Sequence, residues 1–175
     1  MKQAVFLSTV ALLLCFAHAA DIVNETCKSC AAGDPELNYQ LCLSIFNSVP
    51  SSHQADLEGL ALIAIDVTTK KAKQVLGDID NLSKHGPIDR ATKQCLDTCK
   101  ESYADAVDGL KESAVSIKSG HIDDARTLLS AAFDAGSTCE QGFEELKIKS
   151  PLSKDNDEYT SVGRISLAVA ALLDN

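Results

Sequence analysis

Downstream of His53 the apolar residues recur at steps of three to five, mostly three or four, which is the period of a helix face rather than the alternation of a strand. Four long helical patterns result. The first spans about His53 to Lys84, with Leu57, Leu60, Ala64, Val67, Ala72, Val75, Ile79 and Leu82 on one stripe, and Gly86-Pro87 stops it. The second runs from about Ile88 to Ser119 on Cys95, Cys99, Tyr103, Ala106, Leu110 and Ile117, with Gly120 placed as a C-terminal cap. The third covers about Asp123 to Lys147, carrying Leu128, Leu129, Ala132, Cys139, Phe143 and Leu146. The fourth covers about Asp157 to Leu173, on Val162, Ile165, Val169 and Leu172. Short junctions favour antiparallel neighbours, although the connection around Pro151 is longer. Upstream, a short helix is expected from Ile22 to about Ala32. A second opens at Asp34-Pro35-Glu36, with Leu37, Leu41 and Ile45 on one face, before Pro50-Ser51-Ser52 breaks the pattern. The expected architecture is all-α: an up-down-up-down four-helix bundle over residues 53–175, preceded by an N-terminal helical hairpin over residues 20–52.

The first residues follow a different rule. Lys2, an apolar run from Val5 to Phe16 and the small-x-small triplet Ala17-His18-Ala19 read as a signal peptide, residues 1–19, cleaved after Ala19 with Ala20 as the second choice. The run is too short to span a bilayer, and no later stretch is long enough. A secreted, extracellular, oxidised protein is expected. Its formal charge of −9 becomes one unit more negative once Lys2 leaves with the leader. That argues against nucleic acid and anionic membranes as partners and suits either solubility or a basic partner. Asn24-Glu25-Thr26 and Asn81-Leu82-Ser83 are glycan acceptor sequences at Asn24 and Asn81.

Six cysteines remain beyond Cys15 in the leader, and six allow fifteen pairings. Cys27 and Cys42 flank the Asp34-Pro35 turn, so joining them would staple the hairpin. Cys99 and Cys139 lie on the stripes of neighbouring antiparallel helices, with Gly120 nearly midway between them, and so stand at similar heights. These closures are worth roughly 3 and 4 kcal/mol in the loop-entropy view. Cys30 and Cys95 are left to tie the hairpin to the bundle. Two rival readings fit the setting less well. A zinc site from Cys27-x2-Cys30 and Cys95-x3-Cys99 competes with disulfides that secretion favours. A Cys27-x2-Cys30 redox motif wants a strand and a βαβ unit that the pattern lacks.

Several stretches together resemble the plant invertase and pectin methylesterase inhibitor family. They are Thr26-Cys27, Asn38-Tyr39-Gln40-Leu41-Cys42, Leu60-Ala61-Leu62-Ile63, the run from Cys99 to Ala106, Thr138-Cys139-Glu140, and Ile165-Ser166-Leu167-Ala168. The resemblance covers residues 20–175, and its two cysteine pairs fall on Cys27/Cys42 and Cys99/Cys139. The long gap between the first two cysteines is similar to that of a pollen branch of the family. Cys30 and Cys95 are additional to the family's basic four. Ile122-Asp123-Asp124 stands where some invertase inhibitors of the family carry Pro-Lys-Phe. The resemblance implies a non-enzymatic, monomeric inhibitor that covers the cleft of a cell-wall carbohydrate enzyme without any cofactor. Pectin methylesterase is the first expected target and cell-wall or vacuolar invertase the second. The alternative is a non-inhibitory, pollen-type secreted protein or a carrier of a small apolar ligand.

Within that reading, the turn Lys118-Ser119-Gly120-His121-Ile122-Asp123 is either a wedge for an active-site cleft or an ordinary helix connection. The contact residues to examine are Lys118, Gly120, His121, Ile122 and Asp123. His53, His85 and His121 sit at helix ends or turns and read as solvated rather than as one catalytic or metal site. Asp105, Asp108, Glu112, Asp123, Asp124, Glu140, Glu144 and Glu145 fall mostly off the apolar stripes, as a solvated surface or as the face shown to a basic enzyme.

Overall fold

The computed structural model describes residues 22–85 and 88–174; the expected leader and its cleavage site lie outside the described residues. Helix α1 occupies residues 22–33, and α2 Tyr39–Asn47. A 3-10 turn at Pro50–Gln54 leads to α3 (Leu57–His85) and α4 (Arg90–Lys118). Then come α5 (Ile122–Phe133), α6 (Ala135–Glu145), α7 (Ser153–Ala171) and a terminal 3-10 turn at Leu172–Asp174. Helix α3 packs on α4 and α7, and the α5–α6 pair packs on the same two, which closes a ring of four antiparallel members. No strand occurs among the described residues.

The expected stripes face inward except at Leu146, which is exposed because α6 ends at Glu145 and Leu146 lies in its cap. Leu60, Ala64, Ala72, Val75 and Ile79 of α3 are buried, as are Leu96, Tyr103, Leu110 and Ile117 of α4 and Ile165 and Val169 of α7. Caps set the ends. Asp56 accepts from the Gly59 amide at 2.8 Å, so α3 begins at Leu57, later than the His53 that periodicity suggests. Residues 50–54 form the 3-10 turn instead, pinned by the buried Ser52 hydroxyl on the Phe46 carbonyl. Asn38 caps α2 on the Leu41 amide at 3.0 Å. Asp34, expected to start that helix, forms a turn on the Glu36 amide. Gly120, at φ +74°, closes α4 while the His121 amide reaches back to the Ser116 carbonyl.

The third long pattern is two helices rather than one. Tyr159 on α7 donates its hydroxyl to the Ala132 carbonyl at 2.5 Å, the acceptor that a continuous helix would give to the Gly136 amide. A hydroxyl inserted into the ladder is a recognised cause of a kink, and the break falls at Asp134. Gly136 makes the close approach possible: a Cβ there would lie 2.8 Å from Thr160 Oγ1 and 3.1 Å from the Asn156 carbonyl oxygen. Helix α7 also starts earlier than its period suggests. Asn156, a weak helix former, is buried and finds partners in Tyr103, whose hydroxyl donates to its Oδ1 at 2.7 Å, and in Glu140.

Two disulfides are present, in the pairings expected for them: Cys27–Cys42 with Cα atoms 5.8 Å apart, and Cys99–Cys139 at 4.6 Å. The expected Cys30–Cys95 bond is not formed; both are buried thiols. The two residues have different neighbours. Cys30 lines a groove with Phe133, Arg164 and Leu167, against α5 and α7, whereas the Cys95 thiol faces the Gly142 carbonyl of α6 at 3.4 Å. The even cysteine count misled because α2 packs against α3 and α7, and Cys30 faces α5 and α7 rather than Cys95 on α4. Buried Val23, Leu37, Ile45 and Phe46 join the hairpin to the core, and Arg164 adds to that docking, reaching Asp34 at 2.9 Å and Glu36 at 2.7 Å while its guanidinium lies 5.4 Å from the Phe133 ring centroid.

Three outcomes follow from this packing. Gly136→Ala should lower stability by about 1–3 kcal/mol, because overpacking against backbone exceeds the gain in helix propensity, as chemical denaturation will show. Thiol labelling should find Cys30 and Cys95 unreactive in the native protein and both reactive after unfolding without reductant. Burial pushes the Cys30 thiol up to about 11 and also raises Cys95, which keeps the reactive thiolate scarce. The hydrogen bond from Arg164 holds the Asp34 carboxyl below its ordinary value. Its contribution to docking is therefore complete above the ordinary carboxylate range and is lost as pH falls through the lowered value. Amide exchange in α1 and α2 should accelerate below about pH 4, ahead of α3–α7. Arg164→Ala should remove that lead by loosening the hairpin at neutral pH, at a cost of about 1 kcal/mol for a partly buried pair.

Candidate functional site

The α4–α5 turn stands at one end of the bundle. Lys118, Gly120, His121 and Asp123 are exposed, as the wedge reading requires. Ile122 is half-buried and packs on the core, so the turn presents a polar, blunt tip rather than an apolar one. Two backbone bonds on Ile117 and Ser116 carbonyls hold the tip rigid, which spares a partner the entropy of ordering it.

A trough leads away from the tip. Its first part, about 560 Å³, lies between Glu112, Val115 and Ser116 of α4 and Asp124, Thr127 and Leu128 of α5. Its second part, about 490 Å³, shares Glu112 and Leu128 and continues past Asp105, Asp108 and Asp134 to Thr138. Small residues at Ala106, Gly109 and Ala132 let the two helices approach and make the floor shallow. Val115 is 64% exposed, the most exposed large apolar side chain among the described residues, and stands on the rim. The trough is therefore a rigid, acidic concavity with an apolar spot beside an exposed turn. Lys111 offsets Asp108 at 2.8 Å, and Asp105, Glu112, Asp124 and Asp134 supply the remaining charge.

The structure sorts the acidic residues that sequence could only group. Asp105, Asp108, Glu112 and Asp124 converge on the trough, with Asp123 beside it on the turn. Glu140 turns inward and accepts from Asn156 and from Ser153 at 3.1 Å. Glu144 and Glu145 lie towards the opposite end. Asp134 joins the trough because α5 and α6 separate there, and only a sign of that break in the sequence would have singled it out. His53, His85 and His121 lie on separate elements, and no group of three metal-ligating side chains forms among the described residues. Of the two glycan acceptors, Asn81 is exposed on α3. Asn24 accepts from the Tyr39 hydroxyl at 3.2 Å, and its Thr26 is only 5% exposed.

Fold and surface together define a disulfide-stapled four-helix bundle with a docked helical hairpin and an exposed, acidic end. The chain belongs to the plant invertase/pectin methylesterase inhibitor family, whose sequence model matches residues 21–169. A protein of Platanus orientalis described as a candidate invertase inhibitor is 37% identical over 163 residues, 93% of this chain and 95% of its own length. Pectinesterase inhibitor 12 of Arabidopsis thaliana is 31% identical, over 90% of this chain and 91% of its own. A crystal structure of a mutant form of a pectin methylesterase inhibitor from Arabidopsis superposes with a TM-score of 0.67 at 25% identity, covering 78% of this chain and 90% of that one. These relatives are named as enzyme inhibitors, not as enzymes. No described helix is long and apolar enough to cross a membrane.

Proposed function

We propose that this chain is a secreted protein inhibitor that binds pectin methylesterase or acid invertase and blocks its substrate cleft, with pectin methylesterase the first target. Family membership over nearly the whole described chain is the observation that carries this reading. The inhibitor acts by occupancy, without chemistry or a cofactor of its own. The α4–α5 tip, with Lys118, Gly120, His121 and Asp123, and the acidic trough beside it form the contact surface, and Ile122 stiffens the tip from beneath. The leader is removed near Ala19, Asn81 carries the glycan, and the mature protein acts as a monomer outside the cell. A carrier of small apolar ligands is not favoured, because Tyr103, Tyr159, Phe143, Leu110 and Leu129 fill the bundle interior.

The test is association and dissociation kinetics of the glycosylated, disulfide-bonded protein against purified pectin methylesterase and invertase. If the target is basic, reversing charge at Asp105 and Glu112 to Lys should slow association severalfold at low salt and leave dissociation nearly unchanged, since rim charge acts on encounter. His121→Ala should instead speed dissociation, because close contacts set residence time. Capture of neither enzyme overturns the reading. Capture with both sets of variants unaffected moves the contact surface elsewhere on the bundle.

A further inference from the structure

The charges of this acidic protein are not evenly spread along the bundle axis. The Cys99–Cys139 bridge and the contact of Cys95 with Gly142 fix the register of α4 against α6, and the Lys100–Asp80 pair at 2.6 Å fixes α3 against α4. These pairings bring Lys84 and His85 of α3, Arg90 and Lys93 of α4, and Lys147 and Lys149 after α6 to one end, all of them exposed. Asp89, Glu144 and Glu145 lie among them, Asp89 engaged as the cap of α4, and Lys84 lies 3.9 Å from Asp80, which leaves Arg90, Lys93, Lys147 and Lys149 as the cations without a carboxylate partner among the described residues. The opposite end, where Arg126 pairs with Asp174, carries Asp56, Glu58, Asp123 and Asp124.

Lys147 makes the basic end more than a chance grouping. Its φ is +56°, the only positive value at a non-glycine position among the described residues, and it occupies the left-handed position that closes α6. Glycine or asparagine suits that position, and a long side chain there costs stability. Strain of this kind points to a use for the side chain.

We infer that this end binds a polyuronate, a linear polymer of sugar carboxylates. The inference rests on the inhibitor reading. Relatives of this chain are named as inhibitors of a pectinesterase, and hydrolysis of a polyuronide methyl ester leaves carboxylates along the polymer. An ammonium and guanidinium cluster at the end remote from the tip would hold the inhibitor on de-esterified polymer while the tip stays free. The net charge does not forbid this. Helix α4, with 29 residues, separates the two ends by about 43 Å, and the Debye length is about 8 Å at 0.15 M salt, so the near patch governs.

The test measures retention of the intact protein on immobilised polygalacturonate and on fully methyl-esterified pectin at 0.1 M salt. Polygalacturonate should bind at least tenfold more tightly than the ester. The combined variant Lys84→Gln, Lys93→Gln and Lys149→Gln should lose at least tenfold. Lys147→Gly should bind about threefold more weakly while its thermal midpoint rises, a pairing that a purely structural lysine would not give. Equal binding to the ester, no loss in the triple variant, or equal retention on DNA or phosphatidylserine vesicles would overturn the inference. Enzyme capture without polysaccharide is measured separately and should be unchanged in the triple variant. Its absence in the wild type would count against the inhibitor reading and leave the polysaccharide result standing.

Discussion

The bundle depends on a buried polar junction where α4, α6 and α7 meet. Tyr103 donates to Asn156, and Asn156 donates to Glu140 and lies 3.3 Å from the Cys139 sulfur of the inter-helix disulfide. Tyr159 packs edge-on against Tyr103, with centroids 4.9 Å apart, and delivers its hydroxyl to Ala132. Buried polar groups are costly unless satisfied, and no buried side-chain nitrogen or oxygen among the described residues lacks a partner. Desolvation raises both tyrosine hydroxyls well above their ordinary range, so they remain neutral donors. The junction fixes register where the surrounding aliphatic contacts would tolerate sliding.

The surface inherits its shape from that junction. Because Tyr159 takes the Ala132 carbonyl, α5 and α6 separate at Asp134, and the trough along α4 gains both its bend and its last carboxylate. The hairpin is stapled within itself by Cys27–Cys42 and attached to the bundle by a few buried apolar residues, Val23, Leu37, Ile45 and Phe46, and by Arg164 bridging to Asp34 and Glu36. That attachment is smaller than the helix-to-helix seams of the bundle and leans partly on ion pairs, so it is the part of the fold that should open first.

A rigid bundle with opposed charge at its two ends suits a protein that works by occupancy. Little is ordered on binding, and the acidic tip and the basic base can each meet a separate partner. On the readings proposed above, the tip end would meet a protein cleft and the base a carboxylate polymer.

Much of this was legible in the sequence. The 3.6-residue period of Leu60, Ala64, Ala72, Val75 and Ile79 and its counterparts on α4 and α7 determined four antiparallel helices, because an amphipathic stripe has only one favourable side. Gly120 determined the tip, since few residues accept its backbone angle, and the heights of Cys99 and Cys139 anticipated their bond. Tertiary structure alone decided the rest. The break at Asp134 depends on the Tyr159 hydroxyl, 27 residues along the chain from the Ala132 carbonyl it takes. The free state of Cys30 and Cys95 depends on which helix the hairpin lies against, and a cysteine count carries no information about that. The gathering of Lys84, Lys93 and Lys147 at one end depends on inter-helix register. Local sequence sets the period of a helix but not its height against its neighbours, which side-chain packing and the Cys99–Cys139 bridge fix only once the bundle has closed.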